Sequence, residues 1–368
     1  MTAALPSIAG ITRSSVAAYV IPTDRPESDG TLEWDSTTLV VVSMSACGHD
    51  GIGYTYADTG TTALIRDHLL PLIAGRDPLD IPVLFAAMWR AIRNLGRPGI
   101  ASMAISGVDA ALWDLKAKIL GISVADLLGT ARDAIPIYGS GGFTSYSTAE
   151  LEEQLGGWAR EGLRCVKMKV GRAPQDDVRR VGRVRTAIGP ACGLFVDANG
   201  AYSRKQALDL ARRFSEHGVS WFEEPVSSDD LEGLRLLRDR GPAGMSIAAG
   251  EYGYDLFYFR RMLDAQAVDV LQADATRCGG ITGFMAAAAL VDAAGLPLSS
   301  HCAPSLHVAA CCAAPRATHL EYFYDHVRIE RMLFDGAIKP ENGTLAPDRS
   351  RPGLGIEFKW RDAERFRA

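Results

Sequence analysis

No run of ~18 to 20 apolar residues occurs in the chain, which is the length a membrane-spanning helix needs. The nearest candidate, Met285 to Ala294, is too short and carries Asp292. There is no block of like charge, and the net charge is only −5 over 368 residues, so a nucleic-acid footprint is not expected. Met1 to Gly10 lack a basic segment followed by an apolar one and do not read as a signal peptide. Cysteine is sparse: seven are scattered without metal-like spacing, and only Cys311 and Cys312 adjoin. They read as reduced, mostly buried thiols of a cytoplasmic protein.

What remains is the composition of an ordinary globular enzyme, with 47% hydrophobic and 23% charged residues. The length suits two domains, or one large barrel with an appended domain. Residues 1 to ~65 hold two β-like runs, Ser15 to Ile21 and Thr38 to Met44. Turn-rich stretches separate and follow them, Pro22 to Asp35 and Cys47 to Gly60, suggesting an antiparallel meander with two long irregular loops. Beyond residue 61 the pattern turns helical. Val108, Leu112, Leu115 and Ile119 form one stripe of a helix that should end at Gly121.

After Asp133 short apolar strands alternate with helical stretches. The strands are Ile135 to Tyr138, Leu163 to Val170, Leu194 to Val196, Val219 to Phe222, Met245 to Ala249, Val268 to Leu271 and Leu296 to Ser299. That rhythm implies parallel strands with right-handed crossovers. No Gly-rich phosphate fingerprint follows the first strand, which counts against a dinucleotide fold. The expected fold is α/β, a modified (β/α)7β TIM-type barrel over 134–330. An N-terminal α+β capping domain would span 1–130, and a segment 331–368 would pack back on the cap.

Barrel enzymes keep their chemistry where strands end. At those ends stand Lys167 and Lys169, then Asp197, Glu223, Glu251, Asp274 and His301. From Lys169 onward the separations are 28, 26, 28, 23 and 27 residues, about one βα unit each. In Leu163 to Val170, strand alternation puts Cys165, Lys167 and Lys169 on one face, with Val166, Met168 and Val170 on the other. The two lysines should point into the barrel mouth, and two neighbouring cations should lower each other's pKa toward that of a usable base.

Asp197, Glu223 and Glu251 put three carboxylates on consecutive strands, which would repel strongly without a cation. An all-oxygen set suits Mg2+, with Mn2+ as a substitute, better than Zn2+. Alternation alone does not decide which of Glu223 and Glu224 points inward. Asp274, one strand before His301, is placed to hold the imidazole and raise its basicity.

These residues together resemble the enolase superfamily and, within it, the mandelate racemase subgroup. The motifs are Lys167-Met-Lys169, Val196-Asp-Ala-Asn199, Phe222-Glu-Glu-Pro225, Gly250-Glu251, Asp274 followed by Gly279-Gly280, and Ser299-Ser-His301. Ala110-Ala-Leu-Trp-Asp-Leu-Lys116 and Leu127-Leu-Gly129 look like the segment leading into that family's barrel. The resemblance covers nearly the whole chain. It implies Asp197, Glu223 (the first of the pair) and Glu251 as metal ligands, with Lys169 as one acid/base and Lys167 modulating it. His301, paired with Asp274, would be the other, on the opposite face of the substrate. Glu321 matches a glutamate that hydrogen-bonds the enolate oxygen, which it can do only if protonated. Ser140 matches a substrate-contacting serine, and the stretches 22–35 and 47–60 should cap the barrel and choose the substrate.

The implied reaction is metal-dependent removal of the proton α to a carboxylate, through an enolate. Dehydration of an acid sugar, an aldonate or aldarate, is the favoured outcome, because the capping stretches carry Asp24, Arg25, Glu27, Asp29, His49 and Asp50. Arg25 or Arg277 could meet a distal carboxylate of the substrate. Racemisation or epimerisation of a 2-hydroxy acid is the alternative. A catalytically idle binding protein on the same barrel is the reading from another class, and the intact set of expected catalytic residues argues against it. The expected partner is a small-molecule carboxylate, with no nucleic acid or membrane, and the subgroup implies a homo-oligomer.

Overall fold

The computed structural model describes residues 10–368. The expectation that Met1 to Gly10 are not a signal peptide therefore falls almost wholly outside the described residues. Strands β1 (Arg13–Ser28), β2 (Glu33–Ala46) and β3 (His49–Tyr56) form one antiparallel sheet in the order β1-β2-β3. The long helix Ile100–Leu120 packs across it, buries Val108, Leu112 and Leu115, and stops at Gly121 in the left-handed region. Glycine suits that cap because it has no Cβ to clash there.

The second unit is a closed barrel of eight parallel strands: β4 (Ile135–Gly141), β5 (Cys165–Lys169), β6 (Gly193–Asp197), β7 (Val219–Glu223), β8 (Ser246–Ala249), β9 (Val270–Ala273), β10 (Leu298–Ser300) and β11 (Ala317–Phe323). Each pairs with the next, and β11 returns to pair with β4. Seven helices connect them, from Thr148–Arg160 to Pro304–Ala313, so the fold is the expected (β/α)7β barrel with a capping sheet. Outward residues such as Val166, Met168 and Val196 join the layer against the helices. Inside, Tyr138, Phe195, Trp221, Ala248 and Val270 fill the barrel as an apolar floor, with Phe195 and Trp221 stacked 5.1 Å apart. The ionisable residues stand above that floor.

Two stretches differ from expectation. Of Pro22 to Asp35, residues up to Ser28 continue β1, and only a tight turn separates them from β2. Asp29 Oδ1 closes that turn by accepting from the backbone N–H groups of Thr31 and Leu32. The turn reaches the barrel mouth: a Cβ on Gly30 would lie 2.4 Å from the Ala198 carbonyl oxygen. Cys47 to Gly60 is not an irregular loop but a two-residue turn followed by β3. Its glycines serve close packing, since a Cβ on Gly53 would lie 2.3 Å from the backbone of Gly107 and Ala111 in the long helix. At the chain's end, the Ala368 N–H donates to Ala18 O at 3.0 Å and Phe358 packs on Tyr19, both on β1.

Candidate active site

The strand ends deliver their side chains to one buried chamber. Asp197, Glu223 and Glu251 bring carboxylate oxygens within 4.8 Å of one another, and all three are buried. Asp197 and Glu223 are the last residues of β6 and β7, paired in register. Glu251 follows Gly250, whose φ of +138° and contact with the Gln272 carbonyl exclude a side chain there. Trp221, from the floor, donates its indole N–H to Glu223 at 3.0 Å and holds that carboxylate upright. Glu223, not Glu224, belongs to the cluster. Glu224 takes a left-handed φ of +37°, which breaks strand alternation and turns its side chain toward a separate cavity.

The donor set fits a hard divalent cation: three clustered carboxylates, oxygen only, with Glu251 Oε2 buried and lacking a hydrogen-bond partner among the described residues. Burial, and then the charge of Asp197, push the Glu223 carboxyl up to about 8, against the lowering by Lys167.

Lys167 and Lys169 enter from β5. Lys167 Nζ donates to Glu223 at 2.6 Å, lies 2.8 Å from Glu321 and sits over the Tyr138 ring. Lys169 Nζ meets Asp197 at 2.5 Å. The expected mutual lowering of the two lysines is overturned. Burial opposes each charge, yet the adjoining carboxylates, Glu223 for Lys167 and Asp197 for Lys169, outweigh it and raise both. Lys167 lowers Lys169 as expected, but Asp197 raises it more.

Across the chamber, His301 Nδ1 lies 2.7 Å from Asp274 Oδ2. The other oxygen of Asp274 accepts from the Thr276 N–H at 2.7 Å. His301 is raised: burial works against its charge, and Glu251 and Glu321 prevail over it. Nε2 of His301 faces Glu251 Oε2 at 3.4 Å and Glu321 Oε2 at 3.8 Å.

Glu321, which could donate to an enolate only if protonated, is shifted toward the carboxylate form. Burial opposes its charge, but Lys167 lowers it well below the usual range, and its Oε2 accepts the Cys302 N–H at 2.9 Å. Ser140 lies in register beside Lys167, buried and with its hydroxyl unpartnered among the described residues. Arg277 is at the site but already engaged, 3.2 Å from Glu251 and 3.6 Å from Asp274. Arg25 is not brought to the cluster; it pairs with Glu150 at 2.9 Å on the outer helix Thr148–Arg160. His49 and Asp50 are exposed at the β2–β3 turn, where Asp50 accepts from Ser45. Their polarity is no guide to the substrate.

Three features escaped the sequence reading. A cavity of about 600 Å³ opens beside the cluster, lined by Thr31, Asn199, Glu224, Tyr252, Tyr258 and Arg261 among others. Buried Glu330 accepts from Tyr54 on the cap and from Ser305 on the barrel, joining the two units. Cys302 places its Sγ 3.3 Å from His301 Nε2. None of these sits in a strand-end register, so spacing gave no signal for them.

With the geometry established, comparison with known proteins is direct. Residues 15–129 match the mandelate racemase / muconate lactonizing enzyme N-terminal domain, and residues 150–363 match the enolase C-terminal domain-like family. The chain is similar to 3,6-anhydro-alpha-L-galactonate cycloisomerase of Streptomyces coelicolor, 30% identical over 94% of this chain and 96% of the relative. Among solved structures, a mandelate racemase/muconate lactonizing enzyme-like protein from Rubrobacter xylanophilus is 52% identical, with a TM-score of 0.96 over 98% of this chain and 100% of that one. L-Talarate dehydratase from Polaromonas sp. JS666, complexed with Mg and L-glucarate, is 32% identical with a TM-score of 0.88, over 98% and 97%. The chain belongs to the mandelate racemase/muconate lactonizing enzyme family of the enolase superfamily.

Proposed function

We propose that this protein removes the proton α to a carboxylate and, on an acid sugar, completes a dehydration. The observation that carries the reading is the placement of two proton-transfer groups, Lys169 and His301, on either side of one carboxylate cluster. Asp197, Glu223 and Glu251 would hold Mg2+, which supplies positive charge to the substrate carboxylate when bound. Lys169 would take or give a proton on one face of the substrate. His301, its Nδ1 proton fixed on Asp274, would act from the other face through Nε2. Lys167 ties Glu223 to Glu321 and would act as a fixed cation near the developing negative charge. Ser140 would offer its free hydroxyl to the substrate. Arg277 would steady Glu251 and Asp274 rather than reach a distal carboxylate.

If His301 protonates the β-hydroxyl, that group leaves as water and the product is a 3-deoxy-2-keto acid after tautomerisation. The likeness to an L-talarate dehydratase supports this outcome. A second reading, racemisation or epimerisation by return of a proton to the α-carbon, is favoured by the presence of a proton-transfer group on each side of the cluster, Lys169 and His301. We further propose residues 1–130, 134–330 and 331–368 as cap, barrel and returning segment of a cytoplasmic homo-oligomer; among the described residues no helix is long and apolar enough to cross a membrane. Proton NMR in D2O with Mg2+ across a panel of aldonates and aldarates tests the function. Loss of the α-proton signal with appearance of a keto acid is expected, and no exchange with any acid sugar would refute the reading.

A further inference from the structure

The turn after β10 carries a second set of ligand-type side chains. His301, Cys302 and Glu321 bring Nε2, Sγ and a carboxylate oxygen within 4.8 Å of one another, all buried. Nε2 is 3.3 Å from Sγ and 3.8 Å from Glu321 Oε2. Around a tetrahedral ion with metal–sulfur bonds of about 2.3 Å and metal–nitrogen bonds of about 2.0 Å, those edges should measure about 3.5 and 3.4 Å. Small side-chain movements suffice to close the set. Cys302 takes a φ of +54°, and its sulfur lies 3.3 Å from the imidazole Nε2.

Two neighbouring groups are compatible with a cation at Nε2. Asp274 fixes the far nitrogen of His301 at 2.7 Å, the outer carboxylate–histidine arrangement that orients imidazoles toward metals. Glu251, a member of the three-carboxylate cluster, lies 3.4 Å from the same Nε2 through its Oε2. Lys167 meets Oε1 of Glu321 at 2.8 Å, and Oε2, which accepts one N–H from Cys302, keeps a second lone pair.

We propose that His301, Cys302 and Glu321 form a second cation site, selective for a borderline-soft divalent ion such as Zn2+. Thiolate and imidazole ligands prefer Zn2+, whereas the neighbouring three-carboxylate cluster offers only hard oxygens suited to Mg2+. On binding, the Cys302 S–H gives its proton to solvent, a sulfur–metal bond forms, and no electron changes hands. Occupancy removes the lone pair of Nε2, so the ion inhibits any reaction in which that nitrogen moves a proton. The inhibition rests on the function proposed above; the binding does not.

The test uses the full chain with saturating Mg2+ and one equivalent of Co2+ as a coloured surrogate. Sulfur-to-cobalt charge-transfer absorption in the near ultraviolet should appear and be abolished by added Zn2+. Cys302→Ser, which preserves shape, and Cys302→Ala should both lack the band while keeping the parent's near-ultraviolet circular dichroism. Asp274→Asn should weaken Co2+ binding about 10- to 100-fold. No band in the parent, or an equal band in both Cys302 variants, would overturn the site. If Zn2+ binds through Cys302 yet leaves turnover intact, the site stands and the catalytic role of His301 fails.

Discussion

Nδ1 of His301 lies 2.7 Å from Oδ2 of Asp274, and the second oxygen of that aspartate is pinned by the Thr276 N–H. Asp274 therefore fixes both the tautomer and the orientation of the imidazole. Asp274→Asn keeps the shape but removes the charge. Turnover should fall by about 10²- to 10⁴-fold, the range of a general acid–base contribution, with KM changing far less. Steady-state kinetics on the substrate found in the acid-sugar panel would check this, and a loss confined to KM would contradict it.

The two adjacent glutamates should separate in a metal titration. Glu223 shares the cluster with Asp197 and Glu251, whereas Glu224 lines the neighbouring cavity. Calorimetric titration with Mg2+ should show affinity falling at least tenfold in Glu223→Gln and much less in Glu224→Gln. Equal losses would mean that both carboxylates hold the ion.

Glu330 predicts a pH dependence of stability. Burial pushes its carboxyl up to about 7, opposed by the hydrogen bonds from Ser305 and Tyr54. The folded state therefore holds this proton where the unfolded chain, near 4.5, has released it. That contribution is fully present below about pH 4.5 and is lost as pH rises to about 7, at most about 3 kcal/mol for this one group. Melting curves between pH 5 and 8.5 should show Glu330→Gln losing less stability with rising pH than the parent. Parallel curves would refute the assignment.

Gly53 tests the packing of the cap. Gly53→Ala drives a methyl group to within 2.3 Å of the helix backbone, so the sheet or the helix must shift. The cost should be about 1 to 3 kcal/mol, read as a lower denaturation midpoint with an unchanged slope.

Much of the site was legible because its residues obey a simple register. Asp197 and Glu223 end adjacent strands, and Lys167 and Lys169 share the inward face of β5. Legibility ended where the backbone leaves that register. The turn at Glu224, with positive φ, hid which glutamate faces the cluster, and the one at Cys302 hid the thiol beside His301. Gly51 and Gly53 read as loop glycines because sequence shows no helix pressed against them. The charge state of Glu321 was not legible for a related reason: its ionisation depends on Lys167, more than 150 residues away in the chain.

The central claim is that Lys169 and His301 address opposite faces of one substrate carbon. It is tested most directly by following α-proton exchange in D2O, with Mg2+ and the identified acid sugar, for the parent, His301→Asn and Lys169→Met. For a substrate whose α-proton faces Lys169, His301→Asn should keep exchange and lose net turnover, while Lys169→Met should lose both by about 10²- to 10⁴-fold. A substrate of the opposite α-configuration should reverse the two variants in exchange. Turnover by His301→Asn at close to the parent rate would contradict the two-base account.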